Sequence, residues 1–303
     1  MAELEAPVTP EAFAASVATP QHRTQAAAAV LNGKIYVIGG QRHNTGPLDS
    51  TDIFDPSSQG WSKGPRLRCA RQGLAAATLG DQIYVTGGND GKRYVRSSEV
   101  LVPRGGWVNG PDLAVCREFH ASVVLDNRLY VLGGLETGNT YRSVQVLIKE
   151  VQDWTQVAPM LEARHSLAAA VVGNKILIAG GQSHMTILKS MEVYDPAWGA
   201  WSCGPSMSQP RNSPAAATLG NCVYVMGGWG SSDSMSSTEV YDLTSGRRSD
   251  GPKLTASRQE SQAVELGGCI FLMNGKDEGS MPLNSMEVLE GRERRLMQAL
   301  GRS

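Results

Sequence analysis

The chain is predicted to be an all-β protein, a six-bladed β-propeller with four antiparallel strands in each blade. Three observations predict it. A Gly-Gly pair ends a short apolar segment at Gly39-Gly40, Gly87-Gly88, Gly133-Gly134, Gly180-Gly181 and Gly227-Gly228, with a degenerate copy at Asn274-Gly275. The second members lie 48, 46, 47, 47 and 47 residues apart, and Arg23, Arg71, Arg117, Arg164, Arg211 and Arg258 keep the same intervals. Each interval holds four strand-like segments, and a repeated four-stranded antiparallel unit of this length is a propeller blade.

The first segment of each unit follows the arginine and is rich in small residues: "QAAAAVL", "GLAAATL", "SLAAAVV" and "SPAAATL". Small side chains suit the innermost strand, which crowds around the central axis. A two-residue turn follows, as at Asn32-Gly33, Asp126-Asn127 or Gly267-Gly268. These residue types tolerate the positive φ that tight hairpins need. The second strand runs into the glycine pair, as in "KIYVIGG" and "KILIAGG". The third, as in "STDIFD" and "SMEVYD", alternates with period two and is expected to be half-exposed. A turn such as Asp55-Pro56 or Asp195-Pro196 leads to the fourth strand, which carries Trp61, Trp107, Trp154 or Trp201. A Trp there has the area to seal one blade against its neighbour. The next two copies hold Arg248 and Arg295 instead.

Six copies supply twenty-three strands for twenty-four slots, and two segments compete for the last, the outer strand of blade 6. One is the C-terminal "GRERRLMQ"; the other is "AFAASVA" near the N-terminus. Phe13 lies ten residues before Arg23, as Trp61 does before Arg71 and Trp201 before Arg211. Phe13 therefore holds a Trp position, and the N-terminal strand is expected to close the ring. The expected organisation is a tail at 1–12, a propeller at 13–295 and a tail at 296–303.

The formal net charge of −1 gives no bulk attraction for nucleic acid or an anionic membrane surface. No apolar run approaches a membrane span, and the N-terminus "MAELEAPVTPEAF" lacks the basic and apolar regions of a secretory signal. Cys69, Cys116, Cys203, Cys222 and Cys269 include no C-x-x-C pair and read as free thiols, which suits a cytoplasmic location.

The Gly-Gly pairs, the downstream Tyr194-Asp195 and Tyr241-Asp242, and the Trp about seven residues later resemble kelch repeats. The resemblance spans roughly residues 13–295 and implies a protein-interaction module. In kelch-like substrate adaptors the face carrying the arginine loops and the Gly-Gly loops grips partner peptides. It implies partner-binding roles for Gln41, Arg42, His43, Asn89, Lys92, Arg93, Leu135, Glu136, Gln182, His184, Trp229 and Lys276. The residues just after the arginines, namely Gln72, Phe119, His165, Asn212 and Gln259, are further candidates. Substrate recognition for a ubiquitin ligase and scaffolding are two forms of this role. Kelch-like adaptors carry an N-terminal BTB domain, whereas about twelve residues precede the first strand here. The chain is expected to be a stand-alone kelch protein or the substrate-binding part of a larger one.

The six arginines have two readings. A ring of guanidinium groups could fork onto the carboxylates of an acidic peptide. Recurrence in every blade points rather to a structural role, on backbone carbonyls or a neighbouring acid. The same argument makes the Ser-x-acid pattern (Ser190 and Glu192 and their equivalents) a fold device. The unrepeated Arg42, Lys92 and Arg93 are better contacts for an acidic partner, and Trp229 is the best hot-spot candidate. Packing against its own loop is the alternative for Trp229.

An enzyme is the second class considered. Kelch-type sialic-acid epimerases are six-bladed, and an epimerase or lyase at the channel mouth would use a Glu–Arg pair such as Glu118 with Arg117 or Glu260 with Arg258. A copper oxidase would need paired His and Tyr ligands. His43 and His184 share a repeat position but lie in opposed blades. No cofactor and no metal are expected, and the chain lacks a P-loop, a G-x-S-x-G elbow and an H-E-x-x-H motif.

Overall fold

The computed structural model describes residues 12–42 and 45–291. Six four-stranded antiparallel sheets are arranged as blades around an axis. Blade 4 is typical. Its strands are Ala168–Val172, Lys175–Ala179, Met191–Asp195 and Ala200–Cys203, each paired with the next. The innermost strands of neighbouring blades touch around the ring, including that of blade 6 (Gln262–Leu266) against that of blade 1 (Ala27–Leu31). The hairpin turns adopt the expected left-handed conformations, with Asn32 at φ 52° and Gly33 at φ 71°.

The N-terminal segment closes the ring. Ala14–Ala15 pairs with Met286–Glu290 as the outermost strand of blade 6, Ala14 opposite Val288. Phe13 is buried with Leu254, Ile270, Leu272 and Leu289, so it fills the place a Trp fills elsewhere. Thr19 anchors the same segment by donating to Asn274 Oδ1 at 2.7 Å. The competing segment from Arg292 onward lies outside the described residues.

Three of the four repeated tryptophans seal one blade against the next. The indole N–H donates backwards to the preceding blade: Trp107 to Pro65 O (3.1 Å), Trp154 to Pro111 O (2.9 Å) and Trp201 to Ala158 O (2.9 Å). Trp61 instead packs on Phe54, with centroids 5.1 Å apart. Arg248, in the Trp position of blade 5, donates to Glu239 at 2.6 Å.

The third strands depart from expectation. They are largely buried rather than half-exposed; in Ser98–Val102 only Val102 is not fully covered. Their polar alternates are buried, and Asp52, Glu99, Glu192, Glu239 and Glu287 pair with the repeated arginines. The period-two pattern therefore marks an internal ionic layer, and the exposed strand is the outermost one, as in Asp153–Val157.

All six arginines are at most 1% exposed. Arg164 shows the shared pattern. It donates to Gly180 O (2.9 Å), Ser190 O (3.2 Å) and Ser190 Oγ (3.2 Å), and pairs with Glu192 at 2.5 Å. Glu192 also accepts the backbone N–H groups of Leu161 and Glu162 in the linker from blade 3. The pair thus locks blade 4 to the chain entering it, as Glu99, Glu239 and Glu287 do in blades 2, 5 and 6, and breaking one partner would strand a buried charge. The structural reading of the arginines and of Ser-x-acid is the one the geometry supports.

The glycine pairs have a packing reason. The N–H of each second glycine donates to the carbonyl of the next blade's arginine, as Gly181 does to Arg211 O at 2.8 Å. A Cβ on Gly181, at φ +90°, would lie 2.5 Å from His165 O, closer than real side chains come. Asn274 tolerates the same left-handed region at φ 56°, which explains the degenerate copy.

Candidate functional site

One face of the propeller is built by two layers of loop contacts. In the outer layer, the residue after each arginine pairs with the residue after each glycine pair. The bridges are Thr24 with Gln41, Gln72 with Asn89, Glu118 with Leu135, His165 with Gln182, Asn212 with Trp229 and Gln259 with Lys276. In blades 2, 4, 5 and 6 the two sets of sequence candidates are therefore neighbours.

In the inner layer, the second residue after each arginine is left-handed: Gln25, Gly73, Phe119, Ser166, Ser213 and Glu260. Their backbones form a chain of hydrogen bonds around the channel mouth. Gly73 N donates to Gln25 O (3.0 Å), Phe119 N to Gly73 O (2.8 Å), Ser166 N to Phe119 O (2.7 Å), Ser213 N to Ser166 O (2.9 Å) and Glu260 N to Ser213 O (3.1 Å). This collar narrows the axis and aims its side chains at the mouth.

A groove of about 410 Å³ runs over blades 3 to 6 and includes Phe119, His165, Asn212, Trp229, Glu260 and Lys276. Phe119, Ser166, Ser213 and Glu260 also line a smaller cavity of about 110 Å³ at the mouth. The groove and the mouth therefore adjoin. Trp229 and Phe119 are half-buried, and Met281 and Met185 stand 64% and 93% exposed on the loops of blades 6 and 4. Two aromatic side chains among polar neighbours are the composition of a binding surface. Lys276 is held by Glu260 at 2.8 Å. Burial lowers the pKa of His165, so its ring enters the groove neutral.

Of the candidates, Phe119, His165, Trp229 and Lys276 come together in this groove. Gln182 borders it, accepting from Asn212 Nδ2 at 3.3 Å and donating to His184 O at 2.7 Å. His184 is exposed, with φ 49°. Arg42, Lys92 and Arg93 are exposed on blades 1 and 2, outside the groove lining. Asn89 shapes its own loop by accepting from Gly91 N at 2.8 Å. Gln41 is part of the two-stranded hairpin Gln41–Arg42 with Gly46–Pro47. His43 lies outside the described residues.

Neither Glu–Arg pair considered for catalysis is formed among the described residues. Arg117 turns into blade 3, donating to Gly133 O (2.6 Å) and Ser143 Oγ (3.0 Å), and Arg258 pairs with Glu287. Glu118 packs instead on Gly73, where burial pushes its pKa up to about 7. Glu260 pairs with Lys276. Among the described residues no three His, Cys, Asp or Glu side chains assemble as a ligand set.

At the opposite end the channel widens to about 1340 Å³. Its walls are mainly small residues of the inner strands, with Tyr224, Cys222 and Glu265 among them, and its threonines are occupied: Thr78 donates to Val30 O and Thr218 to Val171 O, both at 2.6 Å. Trp198, 84% exposed in the Asp-Pro turn of blade 4, is a surface residue that repeat reasoning passed over, because it lies in a turn rather than at a repeated position.

The kelch motif matches residues 22–68, 70–113, 116–161, 163–208 and 210–255, most of the chain. The chain belongs to the kelch-repeat family. The kelch repeats here are similar to human Kelch-like protein 33, with 39% identity over 71 residues, 23% of this chain and 13% of that protein. They are also similar to the spermatocyte protein spe-26 of Caenorhabditis elegans, 33% identical over 96 residues, 28% of this chain and 16% of that one. A putative F-box/kelch-repeat protein of Arabidopsis thaliana is 36% identical over 76 residues, 24% of this chain and 20% of that one. These matches thus span a fifth or less of the relatives' own lengths. Among solved structures, that of YjhT superposes with a TM-score of 0.81 at 12% identity, covering 91% of this chain and 97% of that one, a likeness of fold. Among the described residues no helix is long and apolar enough to cross a membrane.

Proposed function

We propose that this kelch propeller is a recognition module that grips a partner protein on the loop face, in the groove between Phe119 and Lys276. The observation that carries this reading is the meeting of half-buried Trp229 and Phe119 with neutral His165 in one groove of about 410 Å³. Aromatic anchors in a partly desolvated groove are the usual centres of binding energy. The exposed Arg42, Lys92 and Arg93 lie outboard, on blades 1 and 2, where they would meet acidic residues flanking the gripped segment. Within this reading the chain serves as a scaffold or as the substrate-recognition part of a ubiquitin ligase. The second form is supported by similarity to an F-box/kelch-repeat protein. Cys69, Cys116, Cys203 and Cys222 form no disulfide, which favours a reducing compartment such as the cytoplasm.

The test is affinity capture from native lysate with wild type, Trp229→Ala and Arg93→Glu. Trp229→Ala is expected to lose the principal partner, and Arg93→Glu to weaken it. The same partners at the same yield from all three proteins would refute the interface.

A further inference from the structure

Resting on the recognition reading above, we infer that the channel mouth is a specificity pocket for an arginine side chain of the partner, received by Glu260 and Gln25 and stacked on Phe119. The mouth cavity, about 110 Å³, is far smaller than the roughly 300–1,000 Å³ of typical small-molecule sites. It suits the head of one side chain. It opens beside the groove through the shared residues Phe119, Ser166, Ser213 and Glu260, so a segment lying in the groove passes directly over it.

Its chemistry is that of an acceptor. Glu260 Oε2 and Gln25 Oε1 are buried with no hydrogen-bond partner, although both residues line the cavity. Buried acceptors left unpaired cost free energy that a donor from a ligand would recover. Glu260 keeps its other oxygen on Lys276, which fixes the carboxylate in place. Among the described lining residues Glu260 is the sole charged group, since burial drives the pKa of His120 down to about 3 and keeps it neutral. A guanidinium group offers several N–H donors in one plane and a face that stacks on an aromatic ring. Glu260 and Gln25 would take its edge and Phe119 its face. None of the six repeated arginines lines this cavity; each donates to a backbone carbonyl of its own blade.

The experiment selects random linear peptides displayed on phage against the immobilised protein. Selected peptides are then titrated, as synthesised and with arginine replaced by citrulline or glutamate. The expected result is a recurrent arginine whose replacement by citrulline weakens binding by about tenfold or more. Glu260→Gln should bind the arginine and citrulline forms alike. Gln25→Leu, which leaves the Glu260–Lys276 pair intact, should show a smaller loss in the same direction. Thermal unfolding of each variant checks that the collar is intact. Selected peptides that lack arginine, or whose arginine is dispensable in wild type, overturn the arginine pocket while leaving the recognition module standing. An undiminished preference for arginine in both variants also overturns it. Failure to select any peptide counts against both.

Discussion

Arg117 stands alone among the six repeated arginines in having no carboxylate partner, because Gln145 occupies the place held by Asp52, Glu99, Glu192, Glu239 and Glu287 in the other blades. Both residues are buried, at 0% and 1% exposure, and Gln145 Oε1 and Arg117 Nε have no partner among the described residues. Arg117 compensates in part by lying over the Tyr141 ring, 5.3 Å from its centroid. Burial without a counter-charge lowers its pKa to about 10. Gln145→Glu is expected to supply the missing pair and to raise stability by about 1–3 kcal/mol. The reverse change in blade 4, Glu192→Gln, should cost about 3–5 kcal/mol, because it leaves Arg164 charged and unpaired. Urea unfolding of the two variants beside wild type measures both, and a destabilised Gln145→Glu would show that blade 3 has repacked around its amide.

Glu118 should make stability depend on pH in an unusual direction. The residue is 7% exposed, and burial raises its pKa from 4.5 to about 7. Below pH 4.5 the folded and unfolded chains are both protonated at this group. Between 4.5 and 7 the unfolded chain releases the proton while the folded chain retains it, so stability falls as pH rises through that window. The full penalty, up to about 3 kcal/mol, is present above pH 7. Glu118→Gln is expected to stabilise the protein at pH 8 and to do much less at pH 4. Melting temperatures of the pair across this range test it, and parallel curves would contradict it.

Ring closure rests on a short N-terminal segment. Phe13 packs on Leu254, Ile270 and Leu289, and Phe13→Ala should cost about 3–5 kcal/mol. Deleting residues 1–20 also removes Thr19 from Asn274 and should lower the melting temperature further. A truncated protein that melts with wild type would exclude closure by this strand.

The two kinds of glycine can be separated by one substitution each. Gly181→Ala forces a Cβ to within 2.5 Å of His165 O at φ +90°. The backbone conformation alone costs about 1–3 kcal/mol, and the clash adds to it. Gly199, at φ +60°, has no heavy atom within 4 Å of an added Cβ. Gly199→Ala should cost only about 1 kcal/mol, the intrinsic left-handed penalty. Equal losses would mean that close approach to His165 is not what selects glycine at 181.

The repeat made the fold readable. Spaced arginines, glycine pairs and tryptophans are local signals, and each recurs because every blade must solve the same packing problem. Even the closing strand could be inferred, since Phe13 keeps the register of Trp61 and Trp201. The third strands were less legible. Their alternation is the same whether the polar face meets water or a buried arginine, and only the assembled blade decides between the two.

The candidate site was legible as a face but not as a place. The loops after Gly-Gly were evident, yet nothing local says that Phe119, His165, Trp229 and Lys276 share a groove while Arg42, Lys92 and Arg93 do not. Those residues are far apart in sequence and meet through the order of blades around the ring. Gln25 and Glu260 stand 235 positions apart in the chain and become neighbours at the mouth because the ring closes between blades 6 and 1. The amino-acid sequence by itself determined the repeat and the number of blades, and favoured Phe13's segment over the C-terminal one as the strand that completes the last. Tertiary structure alone decided which side chains converge, because the circle brings together unrepeated residues that no periodicity links.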